Sequence, residues 1–157
     1  MDNIVLYRPR LDELGFRQSL LDDLETMAYN HAYGGTIPFP RERWEDWYAR
    51  WVEDKTGERF YRYLYHEAGQ GFVGEAAYRY DSEFGEYVCD VLVAARYRGR
   101  GFGRQGLTLL CAAAGENSVK RLVDNIAIDN PSVKLFRQAG FRERLHNDEY
   151  ILMEKEL

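Results

Sequence analysis

The rhythm of hydrophobic and polar residues changes repeatedly along this chain, and each change marks an element. Residues 4–7, IVLY, read as a first strand. From 11 to 29, Leu14, Leu20, Leu21, Leu24, Met27 and Ala28 recur at helical spacing, with Gly15 blurring the start. AYGGTIPFP (32–40) is a loop by its paired glycines and two prolines, and Pro40 is placed to open a second helix. In 41–53, Trp44, Trp47, Tyr48 and Trp51 fall at i, i+3, i+4 and i+7, so they share one helical face. That face packs on the domain, and some of its rings could line a pocket and hold a cation.

Period-two patterns follow. RFYRYLYHE (59–67) and GFVGEAAYRY (71–80) read as two strands joined by a turn, and the more apolar EYVCDVLV (86–93) as a central one. A Leu/Ala-rich helix over 103–118 comes next, then a strand at 121–128. NPSVKLFRQAG is a short helix capped by Asn130 or Asp129 and closed by Gly140. FRER and EYILMEKEL supply the last strands. The order β-α-α-β-β-β-α-β-α-β-β is that of a mixed α/β sheet rather than a repeated βαβ winding.

Composition narrows the class. At 157 residues a single domain over 1–157 is the default, and 45% apolar residues, including twelve Tyr, eight Phe and three Trp, are enough for a core. The formal net charge of −5 argues against a general nucleic-acid binder, which needs many phosphate contacts. Cys89 and Cys111 fit buried structural thiols, although a disulfide stays open. No long apolar run opens the chain or is long enough to span a bilayer, so a cytoplasmic protein without membrane attachment is expected.

Residues 96–107, RYRGRGFGRQGL, stand out against this background. They hold four arginines and four glycines, and no acidic residue occurs from 96 to 115. Three readings compete: a flexible Arg/Gly nucleic-acid segment, a dinucleotide turn, or a cradle for another phosphate. The folded composition and acidic charge disfavour the first. Gly101, Gly103 and Gly106 do spell G-x-G-x-x-G, and Asp124 stands 18 residues beyond. Asp124, however, lies in mid-strand, and too few βα units follow for a dinucleotide fold. What survives is a strand ending in a glycine turn that opens a helix. Its free N–H groups and positive helix end suit a diphosphate.

Arg98, Gly99, Arg100, Gly101, Phe102 and Gly103 resemble the Arg/Gln-x-x-Gly-x-Gly/Ala signature of the GNAT acetyltransferase superfamily. IAIDNPSVKLFRQAGF resembles the family's second signature, and the element order agrees across nearly the whole chain. Ala95 departs from the proline common before the loop. The resemblance implies an α/β (α+β) fold with a mixed, mostly antiparallel sheet of about seven strands, flanked by about four helices. It also implies a splay between the strands at 86–93 and 121–128. Acetyl-CoA is the implied co-substrate and no metal is implied. The pyrophosphate would lie on the turn from Arg98 to Arg104, and the pantetheine arm along Val91, Leu92 and Val93 as an added strand. A backbone N–H near Val93 could polarise the thioester carbonyl. Asn130, Ser132 and Phe136 fall where the family often contacts the cofactor, with Asp129 aligned to its usual Asn.

Direct acyl transfer to an amine needs a base, a polarised carbonyl and a leaving thiolate. Glu86 and Asp90 share a strand face and are the candidate bases, with a water chain as the alternative. The family's common acid is a tyrosine where this chain has Phe136. Tyr150 or Tyr87 could serve instead, or the thiolate could leave unaided. The acceptor region is expected from HAYGGTIPFP, the aromatic helix and the 78–86 turn with Asp81, Glu83 and Glu86. His31 is a further candidate there. Acids with aromatics favour a cationic amine, either a small molecule or a peptide. The alternative is a non-catalytic acyl-CoA sensor or partner subunit. A homodimer could use the exposed part of the aromatic stripe.

Overall fold

The elements expected from these patterns appear in the expected order. A computed structural model describes residues 3–157. The strands are β1 (Ile4–Tyr7), β2 (Arg59–His66), β3 (Gly71–Asp81), β4 (Glu86–Val93), β5 (Arg121–Ala127), β6 (Arg142–His146) and β7 (Tyr150–Glu156). The α-helices are α1 (Gly15–Asp22), α2 (Trp44–Trp51), α3 (Phe102–Glu116) and α4 (Ser132–Gln138). One seven-stranded sheet runs in the order β1-β2-β3-β4-β5-β7-β6. All neighbours are antiparallel except β4 and β5, which the α3 crossover brings in parallel.

The helical spacing over 11–29 does not make one helix. Leu11–Glu13 and Thr26–Tyr33 are 3-10 segments, and α1 stops at Asp22. The Asp23 carboxylate causes the break: it accepts the Thr26 N–H at 3.2 Å and also the Thr26 hydroxyl, holding the chain in a new turn. Leu24, which fitted the apolar stripe, is 79% exposed.

Two cores lie on opposite faces of the sheet. On one, Cys89, Val93, Leu122 and Ile126 pack with Phe102, Leu107 and Leu110 of α3 and Phe136 of α4. On the other, Leu92 and Ala77 pack with Leu20, Trp47, Tyr61 and Tyr63 beneath α1 and α2. The alternation of β4 produces this division. Both cysteines are free and buried. The aromatic stripe does pack on the domain: Trp47 meets Tyr61 edge-on at 4.7 Å, and the Tyr48 hydroxyl donates to the Pro9 carbonyl at 2.7 Å. Among the described residues, no helix is long and apolar enough to cross a membrane.

Gly74 fixes the approach of β3 to β4. A methyl group there would overlap the Leu92 carbonyl oxygen and lie 3.0 Å from Val93 Cα. Gly74→Ala should therefore destabilise the protein by about 1–3 kcal/mol, as overpacking does. Thermal unfolding reads this loss directly.

Candidate active site

The β4–β5 pairing ends almost as soon as it begins. Tyr87 faces Leu122 and Val88 faces Val123, and beyond those pairs the strands part. β4 continues to Val93 paired only with β3. This is the splay expected between the two segments. A cavity of about 820 Å³ occupies the fork, lined from one face by Gly103, Leu135 and Phe136 and from the other by Arg17, Trp47 and Tyr61. It therefore passes through the sheet.

The edge of β4 facing the fork is available to a ligand. The Ala94 N–H donates to the Val73 carbonyl of the β3 side at 2.9 Å. Alternation along the strand turns the Val93 amide group the other way, toward the space β5 has left. The Val93 carbonyl there accepts Arg98 Nε at 3.2 Å. Val91, Leu92 and Val93 all line the cavity.

The glycine turn sits at one end of this cavity. Arg98, Gly99, Gly101, Phe102, Gly103 and Arg104 line it. Gly99 and Gly101 have φ of 81° and 83°, a left-handed backbone that only glycine adopts freely. Space is open where a side chain at either would point. No side chain caps α3, so its first-turn N–H groups remain available to an anion. The Arg98 guanidinium braces the turn itself, donating also to the Thr26 carbonyl at 2.8 Å. Arg100 lies over the Phe102 ring at 4.9 Å. Ala95, standing where the family often has proline, donates its N–H to Thr26 Oγ1 at 2.9 Å. A proline could not make that bond. Asn130 and Ser132 line the same cavity, and the Asn130 side-chain oxygen accepts the Ser132 N–H at 2.9 Å to start α4.

The opposite end is floored by acids and walled by aromatics. Glu75 and Asp90 line it with Trp47, Trp51 and Tyr61, and Asp124 lines the same cavity from β5. Rings of this chamber do hold a cation, and it is the protein's own: the Arg17 guanidinium lies 4.4 Å from the centre of the Trp47 ring and 5.4 Å from that of Tyr61. Arg17 Nη1 also donates to both Glu75 oxygens at 2.7 and 2.9 Å, and the Tyr61 hydroxyl donates to the same carboxylate. Buried Glu75 is thus neutralised by a half-buried partner, whereas Asp90 and Asp124 have no ion pair among the described residues.

Asp90 and Asp124 have open surface, but it faces this cavity, and the protein around them still desolvates their charge. Burial, reinforced by the charge of Glu75, pushes Asp90 up to about 6; Arg17 and Arg79 oppose that rise. Burial, and then the charge of Asp90, pushes Asp124 well above the usual carboxylate range. A carboxyl with a raised value in the folded state binds its proton more tightly there than in the unfolded chain. Stability should therefore rise as pH falls from about 7 through 6, levelling below the ordinary aspartate value of about 3.9. Carboxylates held low, such as Glu154 beside Arg144, oppose this only nearer their unfolded values. Melting temperatures at about pH 7 and pH 5 should differ in that direction, and Asp90→Asn should reduce the difference, with Asp124 supplying the remainder.

The other residues expected at the site lie elsewhere. Glu86 shares the β4 face of Asp90 but stands about 13 Å away along the strand. Arg144 grips it at 2.6 and 3.1 Å and Arg121 at 2.9 Å, and it does not line the cavity. Tyr150 is also outside the lining, its hydroxyl 3.1 Å from that of Tyr33. Tyr87 packs edge-on against Tyr78 and Tyr80. The Asp81 carboxylate accepts the Glu83 and Phe84 N–H groups to close its hairpin, and none of residues 81–86 lines the cavity. His31 pairs with Asp129 at 3.5 Å, both exposed. Arg17, Glu75 and Tyr61 escaped the sequence reading. Their one local signal is a lone acid, Glu75, inside an apolar strand; Asp124 carries the same signal.

Comparison with known proteins bears on the family and the fold. The profile of the Acetyltransferase (GNAT) family matches residues 18–141. No curated protein sequence matches the chain. Among solved structures, a spermidine N-acetyltransferase from Vibrio cholerae in complex with CoA and spermine is similar, with TM-score 0.76 and 16% identity over 98% of this chain and 95% of that one. An acetyltransferase from Thermus thermophilus aligns over 100% of both chains with TM-score 0.71 and 23% identity. The GNAT domain of S. lividans PAT aligns with TM-score 0.72 and 18% identity, over 98% of this chain and 89% of that one. At these identities the likeness is one of fold.

Proposed function

The chain belongs to the GNAT acetyltransferase family, and from that premise we propose that it moves an acetyl group from acetyl-CoA to the primary amine of a cationic acceptor, by direct attack in a ternary complex. The observation that carries this reading is the single cavity running from the glycine turn, through the fork, to a chamber of acids and aromatic rings. A phosphate-bearing thioester fits one end and a positively charged amine the other. Both meet where β4 and β5 separate.

Each part of the chain then has a task. The turn from Arg98 to Arg104 and the first turn of α3 take the pyrophosphate. The free edge of β4 pairs with the pantetheine arm, and the Val93 N–H polarises the carbonyl. Asp90 is the base: a carboxylate titrating at about 6 is largely ionised at neutral pH yet basic enough to accept a proton. Trp47 and Trp51 bound the acceptor chamber, and the carboxylate of Asp90, which has no cation paired with it, favours a cation over a neutral amine. The acceptor is a polyamine-like small molecule or an amine-bearing peptide.

Phe136 favours a second reading, that of an acyl-CoA sensor without turnover. It is 2% exposed and packs edge-on against Phe141 at 4.9 Å, offering no proton. The deciding experiment has two steps. Melting temperature is measured with acetyl-CoA, CoA and NAD separately; a ligand at about 100 times its Kd adds roughly 2.7 kcal/mol. Thiol release from acetyl-CoA is then followed across a panel of amines. Stabilisation by both CoA species but not NAD, with amine-dependent thiol release, supports the transferase. Stabilisation without release from any amine supports the sensor.

A further inference from the structure

We infer that Asp124 is the catalytic residue that protonates the departing sulfur, doing from β5 what Phe136 cannot do from α4. The inference rests on the acetyl-transfer reading above. Its basis is which side of the sheet each group occupies. Leu122 and Ile126, two residues either side of Asp124, pack in the core with α3 and α4, so Asp124 points to the cofactor side. Leu92, two residues after Asp90, packs in the core beneath α1 and α2, so Asp90 points to the acceptor side. Both line the cavity within two residues of the last β4–β5 pair. The fork thus has one carboxyl on the side where the amine enters and one on the side where the thiol leaves.

Charge assigns the protonation states. Three carboxyl groups, Glu75, Asp90 and Asp124, share this cavity with Arg17, which is committed to Glu75. Around Asp124 the charged and titratable groups are Asp90, Cys89, Tyr29 and Arg79, and the Tyr29 hydroxyl is itself pushed up to about 12 by burial and stays neutral. Arg79 is paired with Asp81 at 3.2 Å, and the Cys89 thiol is itself pushed up by burial. Two neighbouring carboxylates without a cation between them do not both ionise. The group held more firmly as the acid is Asp124.

The protons balance. The ammonium loses its first proton to water through the open cavity. The nitrogen lone pair forms the N–C bond while the carbonyl π electrons move to oxygen. As the carbonyl re-forms, the C–S bond breaks and its electron pair goes to sulfur. Asp90 takes the second proton from nitrogen, and Asp124 gives its proton to sulfur. The products are the amide and the CoA thiol. Transfer of the proton from Asp90 to Asp124 restores the starting state.

Asp124→Asn and Asp124→Glu test this in the full chain. Asp124→Asn should lower kcat by about 100-fold or more with little change in KM for acetyl-CoA, and Asp124→Glu should recover part of the loss. The alkaline limb of the kcat profile, where the acid ionises, should disappear in Asp124→Asn, while the acid limb assigned to Asp90 stays. A second measurement needs no turnover: bound CoA is titrated by its thiolate absorbance. If Asp124 meets the sulfur, Asp124→Asn shifts that ionisation by about half a pH unit or more. Parent turnover retained within about threefold in Asp124→Asn, with the thiol ionisation unmoved, overturns the inference and leaves the acetyl-transfer reading intact. Absence of turnover in the parent with every amine overturns that reading and the acid role with it, while the thiol titration still reports whether Asp124 reaches the sulfur.

Discussion

Arg17→Met should reduce the unfolding free energy by about 3–5 kcal/mol, because it leaves a buried carboxylate without its cation. Glu75 has 8% of its side chain exposed and takes two hydrogen bonds from Arg17, at 2.7 and 2.9 Å. The guanidinium also supports the rings of Trp47 and Phe39, so methionine removes a cation–π contact as well as a charge. Domains are stable by roughly 5–15 kcal/mol, so this loss takes a large share. Chemical denaturation of Arg17→Met, Glu75→Gln and the double variant separates the contributions. The double variant should be more stable than Arg17→Met, because its glutamine carries no charge. A loss below about 1 kcal/mol in Arg17→Met would place the pair among ordinary surface bridges. The same change should alter catalysis: Arg17 lowers the proton affinity of Asp90, so its removal moves the acid limb of the pH profile upward.

Gly101→Asp should abolish acetyl-CoA binding, at least 100-fold in Kd, while the fold persists. The left-handed backbone at φ 83° makes any side chain there cost about 1–2 kcal/mol. That is tolerable for the domain. Binding suffers far more, because the new side chain enters open space beside the start of α3 and carries negative charge toward a diphosphate. Calorimetry with CoA reads the affinity, and circular dichroism checks the fold. Near-normal affinity in this variant would remove the glycine turn from the ligand site.

What the sequence reveals divides along the range of the interactions. The turn at 98–104 and the order of the elements are written in short spacings, so they are legible without a structure. The break at Asp23 is not, because Leu24, Met27 and Ala28 continue the helical rhythm while one carboxylate ends the helix. Glu86 and Asp90 are equivalent by strand period; only the register of β4 against β5 shows that one stands at the fork and the other in an arginine clamp. Arg17 and Glu75 are 58 positions apart, and nothing local connects them. Asp124 is visible as an acid interrupting an apolar strand, but its neighbour across the fork is not. The proline missing at Ala95 reads as mere variation in the sequence; its reason is Thr26, 69 positions away, whose hydroxyl accepts the N–H that a proline lacks.

The early parting of β4 and β5 has a mechanical consequence. The sheet is two leaves, β1 to β4 and β5 with β7 and β6, joined edge to edge by only two residue pairs. An arm of ligand laid along Val91 and Val93 would act as a splice across that seam, adding backbone hydrogen bonds the polypeptide does not make for itself. The protein would then be stiffest when loaded. On the proposed reading, the seam so spliced is also where the reacting atoms would meet and where the product would leave.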